Sequence, residues 1–348
     1  MKPISSSLIK AAAVCMLSAV TSLAAWPEYS QYERQGKDQS KDKNQQAAPS
    51  DGEQKAMAKI EAAPDVAAKL LAAGEFINKY PKSTLRSKVV SYVAQEINKV
   101  QDAAQRATQL ESTLTVFKEP VDLQVIDPVL VDAYFKATRY DDAFRVADTY
   151  LTKNPNDLAV LTQAAIEGIQ QAKNRNPKFV QQSQQYGAKA IELIESGKKP
   201  DTFDDARWNE YQKQWLPTLY RSLGMLSFMT GNKADARAKV DKALALNSGD
   251  AFSYAMIGYM LNDEYQQLAE QHKALASGPL KDSVLKQALA KMDEVVDMFA
   301  HAVALSEGNA DYQQLHDQTL QDLQSYYKYR HGGSAEGLQQ LIDKYKKQ

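Results

Sequence analysis

From Lys55 onward, apolar positions recur three and four residues apart. The runs are filled with alanine, leucine, glutamine, lysine and glutamate, which favour the helix, while proline and glycine fall mainly between them. No stretch alternates apolar and polar residues as a half-buried strand would. The pattern predicts helices over 55–62, 65–79, 83–99, 102–117, 129–138, 141–153, 157–172, 177–195, 203–230, 233–246, 250–264, 281–306, 310–330 and 335–346. The runs 203–230 and 281–306 are long for globular helices and leave room for a kink or break.

Several of these helices end alike, in an apolar cluster, a lysine and then a proline. The cases are Phe76-Ile77-Asn78-Lys79-Tyr80-Pro81, Val116-Phe117-Lys118-Glu119-Pro120 and Tyr150-Leu151-Thr152-Lys153-Asn154-Pro155, with prolines 39 and 35 residues apart. A weaker echo runs from Leu193 to Pro200, and Ala243 to Ser248 closes a further helix with serine in place of proline. One pair of short helices cannot hide its apolar face alone, so a period of this size predicts helical hairpins stacked on one another.

Two stretches resemble the tetratricopeptide repeat. In 217–250 the resemblance rests on Tyr220, Leu223-Gly224, the turn glycine Gly231, and Ala236, Val240 and Ala243. In 126–156 it rests on Leu130, Tyr134, the turn at Arg139-Tyr140, Ala143, Ala147 and Pro155. Val131, Ser227 and Tyr150 depart from the pattern, standing where a small residue, a tyrosine and an alanine are usual. The units at 56–82, 83–120, 157–200 and 251–308 keep only the two-helix rhythm. The resemblance implies an all-α, right-handed superhelical solenoid of helical hairpins whose first helices line the inner surface. On that logic Tyr134 and Arg221 face a groove, while Tyr220, Leu223, Gly224 and Ala236 are structural. Arg221 lacks the lysine and asparagine companions of the family's clamp for C-terminal carboxylates, so that specificity is not implied.

The N-terminal 54 residues do not share this pattern. Lys2 and Lys10 precede the small and apolar run from Ala11 to Leu23, which is too short to span a bilayer, and Ser22-Leu23-Ala24 suits a signal peptidase. Residues 1–25 therefore read as a cleaved secretory signal, with the cut after Ala24 or Ala25, and the expected address is the periplasm or the exterior. Cys15 is the chain's sole cysteine and would leave with the signal, so no disulfide or thiolate is expected in the mature fold. Val14, not a small residue, precedes Cys15, which argues against lipidation and against stable membrane insertion after cleavage. Residues 26–54 are polar and read as a flexible leader, opened by Trp26, Tyr29 and Tyr32. The solenoid is expected over 55–348, with Leu338, Leu341, Ile342 and Tyr345 forming the apolar face of a terminal capping helix.

Charge and chemistry narrow the function classes. Loss of Lys2 and Lys10 takes the net charge from −1 to −3, so nucleic-acid binding has no electrostatic support. His272, His301, His316 and His331 lack the three- or four-residue spacing of ligands on one helix face, and phosphate-loop and nucleophile-elbow motifs do not occur. His301 reads as a packing residue. The pairs Asp141-Asp142 and Asp204-Asp205 open helices, where negative charge meets unpaired amides. His331-Gly332-Gly333-Ser334 reads as a helix stop and restart, with Ser334 capping the next helix and Gly337 in its first turns. Neither a cofactor, nor a metal, nor a catalytic residue is expected. Trp208, Tyr211 and Trp215 share one helix face and serve either the core or a groove. The resulting expectation is a non-catalytic scaffold or adaptor for another envelope protein or peptide, with Tyr134, Arg221, Trp208, Tyr211 and Trp215 as candidate contacts. The alternative is a small-molecule or glycan-binding protein that uses the aromatic stripe.

Overall fold

The computed structural model describes residues 48–346, so the export segment and the leader up to residue 47 lie outside the described residues. Among the described residues there are fourteen α-helices, two short 3-10 turns (Pro177–Phe179 and Ala310–Tyr312) and no strand. The chain divides into two compact units. One comprises the described residues up to Ala164 together with Pro200–Asp204; the other comprises Ala165–Lys199 and Asp205 onward.

The N-terminal unit holds α1 (Asp51–Glu61), α2 (Val66–Lys79), α3 (Arg86–Asn98), α4 (Ala103–Thr113), α5 (Pro120–Lys136), α6 (Tyr140–Lys153) and the start of α7 (Leu158–Lys173). Neighbours pack as hairpins, α1 with α2, α3 with α4 and α5 with α6, and the first helices α3 and α5 also pack on each other. Phe76, Ile97, Leu110, Ile126, Leu130 and Phe144 are fully buried between them, and the Phe135 and Phe144 rings meet edge to face at 5.4 Å. Two polar links fix the register. The Arg86 guanidinium donates to both oxygens of buried Asp122 at 2.8 and 2.7 Å, and the Gln163 amide donates to buried Asp132 at 2.9 Å. Both carboxylates are hidden from water, and the bonds offset that desolvation. Tyr150, which departs from the repeat pattern, buries its ring and donates its hydroxyl to Asp157 at 2.6 Å, tying the end of α6 to the start of α7.

The C-terminal unit holds the rest of α7, then α8 (Val180–Glu195), α9 (Asp205–Met229), α10 (Lys233–Leu246), α11 (Ala251–Ala274), α12 (Pro279–Ser306), α13 (Gln313–Arg330) and α14 (Leu338–Lys346). Here α9 pairs with α10 and α11 with α12. Gly224 allows the first pair its close approach: a Cβ there would lie 2.9 Å from Val240 and 3.1 Å from the Ala236 carbonyl. Ser227, where a tyrosine is usual, donates to the Leu223 carbonyl and to Asp235. Both α13 and α14 pack on α12. Tyr345 of α14 stacks on His301 at 4.2 Å, and Tyr254 stacks on His301 at 3.7 Å, so the imidazole is a packing residue between two phenols.

Several boundaries differ from the expected ones by three residues or more, among them the end of α4, at Thr113 and not at 117, and the start of α3, at Arg86 and not at 83; four others have a clear local reason. Helix α1 starts at Asp51, inside the expected leader, because Ser50 and Glu53 form a reciprocal capping box. Helix α5 starts at Pro120 and not at 129. A proline at the first helical position lacks only an N–H that no helix would use, and Pro128 is accommodated inside the helix. Helix α11 runs on to Ala274 through a polar stretch without apolar period. Helix α14 starts at Leu338, since Gly337 sits before it at φ 86°, and Ser334 accepts from the Glu336 amide without capping the helix. The stop before it is as expected: the Gly333 amide donates to the Lys328 carbonyl at 2.7 Å, with Gly332 and Gly333 left-handed. The long runs in α9 and α12 are each one continuous helix.

Candidate functional site

Two concave regions stand out, one in each unit. In the N-terminal unit a groove of about 220 Å³ is formed by α3, α5 and the start of α7, together with Pro200–Phe203. Of these, α3 and α5 are the first helices of their hairpins. Ala94, Val125, Pro128, Val129, Leu158 and Phe203 supply its apolar surface, and Gln95, Asn98, Gln124 and Asn156 place side-chain amides around it. The Asn98 carbonyl oxygen accepts from Arg106, whereas the amides of Gln95, Gln124 and Asn156 make no hydrogen bond among the described residues. Each such amide offers both donors and an acceptor, the same set that a peptide unit offers. Pro128 adds a further acceptor, because it has no N–H to give the Gln124 carbonyl one turn earlier. Asp157 and exposed Asp201 also line the groove, and none of its lining residues is basic. Asp157 is committed, receiving the Tyr150 hydroxyl and the Val160 amide. Beside the groove on α5, burial pushes the Asp127 carboxyl up to about 6, partly opposed by Lys153.

In the C-terminal unit a smaller cavity of about 80 Å³ is lined by residues of α7, α9 and α11. Trp215, Met225 and Phe252 supply apolar walls, and Lys173, Arg221 and Ser222 supply polar atoms. Arg221 is largely buried, donates to Asp250 at 2.8 Å and lies 5.2 Å over the Phe252 ring. Asp250 also receives the Ser253 hydroxyl at 2.5 Å. Lys173 is only 6% exposed, and burial, followed by repulsion from Arg221, pushes its amine down to about 7.

The sequence-predicted contacts divide accordingly. Arg221 and Trp215 line the smaller cavity. Trp208 and Tyr211 are buried, stacked on each other at 6.2 Å, and are not among its lining residues. Tyr134 is 3% exposed; its hydroxyl donates to Glu111 at 2.8 Å and its ring lies under the Arg139 guanidinium, so it braces α5 against α4. Burial, followed by the Glu111 bond, holds that phenol up at about 12.

Among solved structures the chain is similar to a tetratricopeptide repeat protein from Parabacteroides merdae, with a TM-score of 0.37 and 13% identity over 77% of this chain and 96% of that one. No protein-family model matches the chain, and no curated protein matches it.

Two further histidines and one residue of the acidic pairs have structural partners. His316 shares a hydrogen bond with Ser306 at 3.1 Å, and His331 with the Tyr327 carbonyl at 2.8 Å. Asp142 is held between Arg145 and Arg139, which keep its carboxyl below the usual range. Among the described residues no group of three or more His, Cys, Asp or Glu is placed to hold a metal ion. No described helix is long and apolar enough to cross a membrane. The amide-lined groove and Lys173 escaped sequence reading. An isolated glutamine, asparagine or lysine in a helix pattern reads as solvated, and only the packing of three helices reveals otherwise.

Proposed function

We propose that the protein is a non-catalytic interaction scaffold of the bacterial cell envelope, binding an extended segment of another envelope protein in the groove of α3, α5 and α7. The observation that carries this reading is the groove itself. Apolar side chains along its surface can take alternate side chains of an extended segment, while Gln95, Gln124 and Asn156 can pair with its backbone. With Asp157 and Asp201 on its lining and no cation, the groove favours a segment carrying lysine or arginine over an acidic one. The envelope address rests on the signal-like first 25 residues.

Photocrosslinking in the native cells tests the proposal. A photoreactive residue at Gln124 should trap one envelope protein, and Ala159→Trp, which fills the groove, should abolish that adduct while helix content stays unchanged. The same adducts from a photoreactive residue at exposed Lys242 would overturn the reading.

A further inference from the structure

We propose that the cavity between α7, α9 and α11 binds a small organic monocarboxylate with a compact apolar body, its carboxylate held by Lys173 and Arg221 and its body against Trp215. This site is independent of the groove and adds a small ligand to the proposed scaffold.

The argument starts from Lys173. Its side chain is more than nine-tenths buried, lines the cavity, and has no ion pair or hydrogen bond among the described residues. With burial around it and only the solvent of the cavity to answer it, the amine is costly to charge, and an entering anion offsets that cost. Arg221 cannot be the group left wanting, because Asp250 already answers it. Tyr312 lies against it as well, and the guanidinium's positive charge stands on the same wall. Ser222, whose side chain makes no hydrogen bond among the described residues, adds a hydroxyl.

The rest of the lining selects the ligand. Ile166, Ile169, Trp215, Met225 and Phe252 form an apolar enclosure that a bare inorganic ion would leave unfilled. Glu167 also stands on the wall, six residues and about 9 Å of helix before Lys173, too far to neutralise the amine but able to repel a second negative charge. A monoanion is therefore favoured over a dicarboxylate or phosphate. At about 80 Å³, about half the roughly 150 Å³ of a cavity that holds benzene, the site has room for a body of about three or four carbon atoms, as in butyrate or isovalerate. Since Lys173 is held near 7 without ligand, carboxylate binding above that pH draws one proton from solvent onto its amine.

Calorimetry on the full chain at pH 8 tests this, using isovalerate and butyrate against isoamyl alcohol, inorganic phosphate and a tetrapeptide with a free C-terminus. Trp215 fluorescence follows the isovalerate titration. The carboxylates should bind at least about tenfold more tightly than the alcohol, the phosphate or the peptide, and two buffers of different ionisation heat should reveal the proton taken up. Lys173→Met should weaken isovalerate at least about tenfold, with the protein at least as heat-stable as the parent, whereas exposed Lys242→Met should change nothing. If Lys173→Met does not fold, Met225→Trp, which fills the cavity from the opposite wall, should abolish binding. Equal affinity for the neutral alcohol, preference for phosphate or peptide, retained affinity in the variants, or no carboxylate binding at all would each overturn the proposal.

Discussion

At the scale of single residues, two side-chain environments lead to measurable consequences. Asp127 is held up at about 6 by burial, above its ordinary 3.8, so the folded chain keeps a proton that the unfolded chain releases between those values. Stability from this group is thus present in acid and lost as pH rises through 6. Asp127→Asn should stabilise the protein by about 1 kcal/mol at pH 7.5, after allowance for solvent screening, and by nothing near pH 4. Urea titrations at the two pH values would show it, and an equal gain at both would mean that charge is not the cause. Gly224 is the opposite kind of case, a residue defined by what it leaves out. A methyl group there meets the Ala236 carbonyl, which is backbone and cannot turn aside, so Gly224→Ala should cost about 1–3 kcal/mol despite alanine's better helix propensity. A rise in melting temperature would show that α9 and α10 separate easily.

At the scale of elements, the groove depends on a helix that contains a proline. Pro128 denies α5 one backbone hydrogen bond and leaves the Gln124 carbonyl beside the groove. Pro128→Ala restores the donor, so it should raise stability by about 1 kcal/mol while weakening capture of the partner trapped from position 124. Stability and capture rising together would show that the freed carbonyl plays no part in binding. The same helix shows where sequence reading stops. Helices with a strong apolar stripe, such as α6, or with turn residues at both ends, such as α10 between Asn232 and Asn247, lie within one residue of their expected bounds. The first two turns of α5 were missed because Pro120 and Pro128 read as breakers, although one sits where no donor is needed. The last turns of α11 were missed because helix propensity without an apolar stripe leaves no period to detect. Trp215 and Arg221 could be singled out from the aromatic spacing and the repeat resemblance. Tyr134, singled out by the same resemblance, is instead consumed by Glu111 and Arg139, contacts made by residues distant in sequence.

At the scale of the whole molecule, the division into two units governs how the chain should unfold. In stacked hairpins each helix contacts mainly its neighbours, so cooperativity passes from pair to pair and weakens where packing is poorest. The tryptophans are Trp26, Trp208 and Trp215. Trp208 and Trp215 are buried in the C-terminal unit, whereas the described part of the N-terminal unit has none. In a Trp26→Phe variant, tryptophan emission therefore follows the C-terminal unit, while circular dichroism at the helix band follows both. If the units unfold separately, the two probes give urea transitions with different midpoints, and the emission curve matches only part of the loss of helix. A saturating carboxylate, bound in the C-terminal cavity as proposed, should then move the emission midpoint and leave the other component of the helix signal in place. Superimposable transitions, shifted together by the ligand, would show that the two units unfold as one cooperative body.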